Sequence, residues 1–594
     1  MTTFSNDDYT AADVTGGIDD IHGEDIPKLE EPEIDTQIIP TTNGKAKKKD
    51  QTKTNEKKQK KIDVDQLLYK TEVLKLQKDN LDISFEYWST TLLEKRKIFN
   101  TKLTENFPDL ELLGDFELAI KTILNVQDIT LPFMGIALVV PSSLKTALIE
   151  RLRKLPYSYF TDKFNARSFV SHNANTTEEK LEKEIDILPA VRDKIFLTPE
   201  LATLFTQKDD DIKEQFGLIT RVLDGHGLET NSGVHGKRGY HGTYMFTWLA
   251  AAVEIPHNIY RFLSTIGFKI YFLRLPKIKV TVNDLVAQLS SEMDFNQKMD
   301  ELDKILSDYL MWFEVCPIAI GQQNITPNND MTPVKIEWDK KKDDKNSIKI
   351  IGELALLLSH IRGSVYVYRN SEHDELIPVG NTESGDGAYA HGVAIIERPY
   401  RANQQLYNLA RGHALSYGRN YITEEDLPLV TKVVLSTGSI ERVLILDLLI
   451  ANKGTLTTSQ IKQSMNLGNN AAKRTMTEFK GLELVTMDRT NGDTSNSEHK
   501  IVLKPEFDWF LTPEFEKLRD DYTNKIAEFA MRKNTPVRVQ QKLDESNPDD
   551  DITTTTPIKT DNAHGGENAH SKTETVRGYQ MSPDGEIHEG KPPW

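Results

Sequence analysis

At 594 residues the chain is long enough for several cores, and 38% hydrophobic against 27% charged residues lets its middle fold while its ends need not. A single cysteine, Cys316, excludes an internal disulfide framework and a multi-cysteine metal site and fits a reducing compartment. The net charge of -17 is uneven: 1–44 holds eleven acids against Lys28, 45–61 holds nine lysines against Asp50 and Glu56, and 541–594 holds eleven acids against five bases, so the mildly acidic body neither argues for DNA binding nor excludes it.

In chain order, residues 1–44 are acidic and poor in aromatics, which predicts disorder. The N-terminal MTTFSNDDYTAAD lacks the basic start and apolar stretch of a secretory signal, and no apolar run approaches the roughly 20 residues of a membrane span. The lysine block 45–61 reads as a solvated linker, a non-specific phosphate contact or a partner for the acidic tails. Apolar residues every three or four positions then predict helices over 63–80, 83–105 and 110–129. Apolar runs follow at MGIALVV, KIFLTPE, FTWLAAA and GFKIYFLRLP, each succeeded by small, polar or charged residues. Alternating with helical segments, they predict a parallel sheet covered by helices.

Val280 to Trp312 reads as helical after a short strand-like start, with Asn283 or Asp284 as its cap and Leu285, Leu289, Met293 and Met299 on its apolar side. Turn residues at 318–346 surround one strand, VKIEW, and suggest a surface insertion. A helix at 351–361, a strand SVYVYR and a glycine-rich loop at 383–392 precede a helix over 401–417, and Thr423 starts the next. Between 440 and 507 three helices and a hairpin follow in winged helix-turn-helix order. A terminal helix over 512–530 and an acidic, disordered tail complete the chain.

The chemistry centres on PSSLKT. A P-loop is GxxxxGK[ST] between a strand and a helix: its backbone amides cradle phosphates, its lysine supplies charge and its hydroxyl binds Mg²⁺. Here Ser142 and Ser143 lie in the turn and Lys145 and Thr146 stand at the diagnostic positions, with Thr146 the Mg²⁺ ligand, but Val139 and Leu144 replace both glycines. Glu200 ends its strand where a carboxylate would activate water; a helix-terminal acid would look the same.

Assembled, these segments resemble the AAA+ superfamily, most closely the minichromosome-maintenance (MCM) replicative helicases. The resemblance covers roughly 131–277 and 398–436; NLARGHAL followed by ITEEDL is its most specific part. It implies an AAA+-like P-loop α/β core with a parallel sheet and helical lid, a C-terminal winged helix-turn-helix and disordered tails. It also implies Glu200 as catalytic glutamate, Thr247 as the first nucleotide sensor, Arg401 as the second, and a finger acting in trans among Arg261, Lys269 and Arg274. The hairpin within 228–245 would present His235, Lys237, Arg238 and His241 to DNA, while Lys473 and Arg474, with Asn469, Asn470 and Thr477, would serve the third helix of the winged domain.

The expected organisation is a tail (1–61), a helical region (62–130), the ATPase core (131–279), a helical and strand region with the insertion (280–397), the lid (398–437), the winged helix with its terminal helix (438–530) and a tail (531–594). The expected function is an ATP- and Mg²⁺-dependent ring motor on DNA, a homo-hexamer or another ring. It would act in replication or mobile-element maintenance, with replication proteins as partners, in the cytoplasm beside the nucleoid or in a nucleus. The alternative is a catalytically inactive initiator or regulator of the same fold.

Overall fold

The computed structural model describes residues 64–139, 145–172, 176–232, 236–267, 269–275, 281–290, 293–320, 331–369, 389–489 and 498–519. Its centre is a five-stranded, wholly parallel sheet. The strands are β1 (Phe133–Leu138), β2 (Ser158–Phe160), β3 (Ile195–Thr198), β6 (Thr247–Ala252) and β7 (Ile270–Arg274), in the spatial order β2-β3-β6-β1-β7. Between β3 and β6 the chain makes a separate antiparallel hairpin, β4 (Gly227–Ser232) and β5 (Gly236–His241).

The apolar runs are continuous because both faces of the sheet are buried. Successive side chains point to opposite faces, so Phe133 and Ala137 of β1 join one core while Met134, Ile136 and Leu138 join the other. Leu249 and Ala251 of β6 divide in the same way from Trp248, Ala250 and Ala252. In the second core Trp248 stacks on Phe196 with centroids 4.6 Å apart, takes Phe164 edge-on at 4.7 Å, and donates its indole N–H to Thr198 Oγ1 at 2.8 Å. The first core is shared with helices Glu111–Ile123 and Tyr400–Ser416 and continues to Phe515, so the expected segments 62–130, 280–397, 398–437 and 438–530 share one continuous interior. β7 is an edge strand, and its outward amide at Phe272 is satisfied by Thr437 Oγ1 at 3.0 Å, at the end of helix Leu427–Thr437.

The early helices run over 64–79, Phe85–Asn106 and Glu111–Ile123, close to expectation. The helix expected within Val280 to Trp312, after a short strand-like start, is two, Val282–Leu289 and Phe295–Phe313. The break has a local cause: Asp294 Oδ1 accepts the Gln297 amide at 2.8 Å while Gln297 Oε1 accepts the Asp294 amide at 2.9 Å, a capping box that starts a new helix. Leu285, Leu289 and Met293 are consequently exposed, and of the four residues assigned to an apolar side only Met299 is buried.

Toward the C-terminus the order is helix Ile440–Ala451, strand Thr455–Thr457, helices Thr458–Met465 and Asn469–Gly481, then strands Val485–Arg489 and His499–Leu503. The three strands form one antiparallel sheet with His499–Leu503 in the middle. Helix Pro513–Arg519 is tied back by Arg519, which donates to Asp447 Oδ1 at 2.9 Å; the remainder of the helix expected over 512–530 lies outside the described residues.

Burial pushes the Asp447 carboxyl from its ordinary 3.8 up to about 6, with Arg519 opposing. A folded pKa above the unfolded one means that stability from this group is present at low pH and lost as pH rises from about 4 to about 6. Asp447→Asn should therefore gain on the wild type as pH rises, the gap widening by roughly 2–3 kcal/mol between pH 4 and 7. Urea midpoints at the two pH values measure it, and an unchanged gap refutes it.

Candidate functional site

The carboxyl ends of parallel strands are where such sheets bind ligands. β1 ends at Leu138, paired with Ala252 of β6 and Arg274 of β7, and Val139 is buried with its amide on Ala252 O at 3.0 Å. Ser142, Ser143 and Leu144 lie outside the described residues. The chain resumes as helix Lys145–Arg151, whose Leu148 and Ile149 are buried in the first core and whose Thr146 is half-buried; the Lys145 side chain is also outside what is described. On the far side of β6, Glu200 follows β3 at the same edge, half-buried, with the next amide, Leu201, on Ala251 O at 2.9 Å. Two strand spacings, about 10 Å, separate the ends of β1 and β3.

Arg274 reaches this edge but is committed elsewhere. Nearly buried, it donates to Ser436 O at 3.3 Å and lies 3.4 Å from both Glu254 Oε1 and Tyr260 Oη, clamping β7 to helix Leu427–Thr437. That geometry corrects its expected role as a finger, because a group acting in trans must project outward. Arg261 lies in helix His257–Ile266, its side chain outside the described residues.

Three candidates lie at the opposite edge. Thr247 opens β6 rather than closing it: it pairs with Phe133 and Ile195, the first residues of β1 and β3, and is fully buried. Five residues of strand, about 17 Å, separate it from the carboxyl edge, so Thr247 cannot sense a nucleotide there. Lys269 precedes β7 and donates to Asp224 Oδ1 at 2.6 Å and Thr220 O at 2.9 Å. Arg401, in the first turn of helix Tyr400–Ser416, donates to the same Oδ1 at 2.8 Å and to Leu223 O at 2.6 Å. The two expected catalytic cations thus meet, but on a carboxylate of their own chain and away from the β1–helix junction. Although partial burial favours its neutral form, Lys269 and Arg401 hold the Asp224 carboxyl below the usual range. Sequence reading missed Asp224, whose only signal was a lone acid at the apolar end of a helix.

In the hairpin, Gly227 (φ 88) and Gly239 (φ 156) bring the strands so close that a Cβ on either would lie 2.0 or 2.2 Å from the opposing carbonyl oxygen. Arg238 turns inward, corrected from a DNA contact. It is 8% exposed and donates to Asp186 Oδ2 and Ser171 O, each at 2.5 Å, while Tyr240 donates to Asp186 at 2.6 Å. Lys237 and His241 are exposed and both pair with Glu229, Lys237 at 2.9 Å; His235 lies outside the described residues.

On helix Asn469–Gly481, Asn469, Asn470 and Arg474 are exposed and Lys473 is half-buried. Thr477 is buried, its hydroxyl donating back to Lys473 O at 3.0 Å, so it leaves the expected contact surface. Among the described residues, no three His, Cys, Asp or Glu are placed to hold a metal ion, and no helix is long and apolar enough to cross a membrane.

No known family's sequence profile matches the chain, and no curated relative does. A solved structure of a presumed ATPase from Cytophaga hutchinsonii ATCC 33406 aligns at 12% identity over 60% of this chain and 91% of that one, with a TM-score of 0.26, too low a likeness to bear on this fold.

Proposed function

We propose that the chain is an AAA+-type nucleotide-binding protein that acts on DNA as a ring, in replication or mobile-element maintenance. One observation carries the reading: at the carboxyl edge of a wholly parallel sheet, β1 leads into a helix opened by Lys145 and Thr146, and Glu200 follows β3 at that same edge. These residues fit ATP with Mg²⁺ by type, as an ammonium, a hydroxyl and a carboxylate. Lys145 would hold phosphate, Thr146 the metal ion, and Glu200 would orient water. Bound ATP would supply the phosphoanhydride whose hydrolysis drives movement. The order helix, strand, two helices, two strands at 440–503 supports a winged helix, with Asn469, Asn470, Lys473 and Arg474 towards DNA. In this reading 131–279 is the core, 398–437 the lid and 438–530 the winged helix, assembled as a homo-hexamer in the cytoplasm or a nucleus.

The second reading, a regulator or initiator that holds DNA without hydrolysis, is favoured by a specific finding: Lys269, Arg274 and Arg401 are all bound within their own chain. A fluorescent ATP analogue with Mg²⁺, titrated into the full chain, separates the two when followed by turnover with and without DNA. Binding weakened about tenfold or more by Lys145→Ala, with DNA-stimulated turnover lost in Glu200→Gln, is the expected result. Binding without turnover selects the regulator, and no nucleotide binding at all removes the motor and leaves the regulator.

A further inference from the structure

A cavity of about 480 Å³ lies among helices Phe85–Asn106, Glu111–Ile123, Tyr400–Ser416 and Leu427–Thr437, away from the β1–helix junction. That volume falls within the range of small-molecule sites. Leu93, Leu112, Pro428 and Leu429 give it an apolar wall, and Leu93 and Leu112 are only half-buried. One polar side chain in its lining is more than nine-tenths buried: His413, 7% exposed.

The protonation of that imidazole follows from its neighbours. His413 Nδ1 lies 2.7 Å from Oδ1 of the fully buried Asp426. Arg419 forks onto both oxygens of the same carboxylate, at 2.9 and 3.0 Å, and the Thr423 amide donates to Oδ2 at 2.9 Å. A carboxylate gripped in this way is ionised and only accepts. Nδ1 therefore carries the proton, and Nε2 of the neutral ring keeps its lone pair and can only accept. Among the described residues nothing donates to Nε2, nor is it sealed from solvent.

The remaining lining carries charge of both signs: Asp115 and Glu425 beside Lys97, Arg419 and Lys432. An ion entering the cavity would meet a like charge, and a carboxylate would set its own lone pairs against that of Nε2. A neutral O–H donor meets neither obstacle. It would satisfy a buried acceptor whose orientation is already fixed, so little ordering is left to pay at binding.

We propose that this cavity binds a neutral apolar molecule bearing a hydroxyl, of about the size of an alkylphenol. Its O–H would donate to His413 Nε2 and its hydrocarbon body would lie against Leu93, Leu112 and Leu429. This does not depend on nucleotide binding. Such a ligand would bridge helix Phe85–Asn106 to helices Tyr400–Ser416 and Leu427–Thr437.

Calorimetric titration of the full chain with 4-propylphenol and with 4-propylanisole, its methyl ether, tests it, because the two share a body and differ in the donor. Saturable one-to-one binding of the phenol is expected, about tenfold or more tighter than that of the ether. Leu93→Trp and Leu112→Trp, which fill the cavity, should each weaken phenol binding about tenfold or more. Both leucines are half-buried, so the variants should fold, and thermal melts verify this; the comparison of phenol with ether on the unaltered chain decides the donor in any case. Absence of phenol binding, equal binding of the ether, or phenol binding unchanged in both folded tryptophan variants would each overturn the proposal.

Discussion

Glu314→Ala should cost the fold about 3–5 kcal/mol, because it strands a buried charge. Glu314 follows helix Phe295–Phe313 as its C-cap, with its side chain fully buried. Its Oε1 accepts the Tyr157 hydroxyl at 2.5 Å and lies 3.7 Å from Lys121 Nζ, also fully buried. At that distance the pair is ionic but not hydrogen-bonded, and among the described residues Lys121 Nζ has no hydrogen-bond acceptor. It also lies over the rings of Phe313 and Tyr157, 4.0 and 5.7 Å from their centroids. Burial already pushes the Lys121 ammonium down to about 8, against the pull of Glu314. Without that carboxylate the ammonium must be buried unpaired or lose its proton. The site joins distant parts of the chain: Lys121 lies under the sheet, Tyr157 just precedes β2, and Gln77 of the first helix donates to Glu314 O at 3.0 Å. Urea unfolding of Glu314→Ala beside the double variant Lys121→Met, Glu314→Leu decides the cause. The apolar pair should recover stability to within about 1–2 kcal/mol of the wild type, since neither charge is then left alone. A single variant that loses less than about 1 kcal/mol would show that the pair contributes nothing.

How far the sequence reveals this molecule depends on the range of the interaction. β1, β3, β6 and β7 were legible because burial on both faces writes an unbroken apolar run. Thr423 was legible as a helix start because Asp426, three residues on, accepts its amide at 2.9 Å. Long-range pairing left no such trace. Arg238 beside exposed Lys237 reads as one basic tip, yet adjacent strand residues face opposite ways, and the acid that takes Arg238 inward, Asp186, is 52 positions away. Arg401 and Asp224 are 177 positions apart. Thr247 was misplaced for another reason: an apolar run shows that a strand exists, but only the register with Phe133 and Ile195 shows which of its ends faces the site. That a helix opens at Lys145 and Thr146 soon after β1, and that Glu200 follows β3, was legible because strand and helix periodicities are local patterns.

Gly412→Ala separates local preference from packing, because the two predict opposite signs. Alanine in the interior of a helix is favoured over glycine by about 0.5–1 kcal/mol, so helix Tyr400–Ser416 taken alone should gain. Against helix Glu111–Ile123 it should lose: a Cβ on Gly412 would lie 2.2 Å from the Ala119 carbonyl oxygen and 2.8 Å from Ile123. A side chain could rotate away, but a carbonyl inside a helix cannot, so the two axes must part. Thr122, whose hydroxyl donates to Gly412 O at 2.5 Å, then loses its contact across the helix pair, and buried Ala119 and Ala410 lose theirs in the first core. A net loss of about 2–3 kcal/mol is expected, the usual cost of overpacking, and thermal unfolding would measure it. The effect should extend beyond stability. The same helix carries Gln405, which donates to Pro132 O at 2.8 Å immediately before β1, and Arg401, which holds Asp224. Displacing it by the width of one methyl group should loosen both, so Asp224 amide protection should fall in Gly412→Ala before the sheet itself unfolds. A more stable variant would mean that the two helices can part at no cost, and that the seat of Arg401 is not set by this contact.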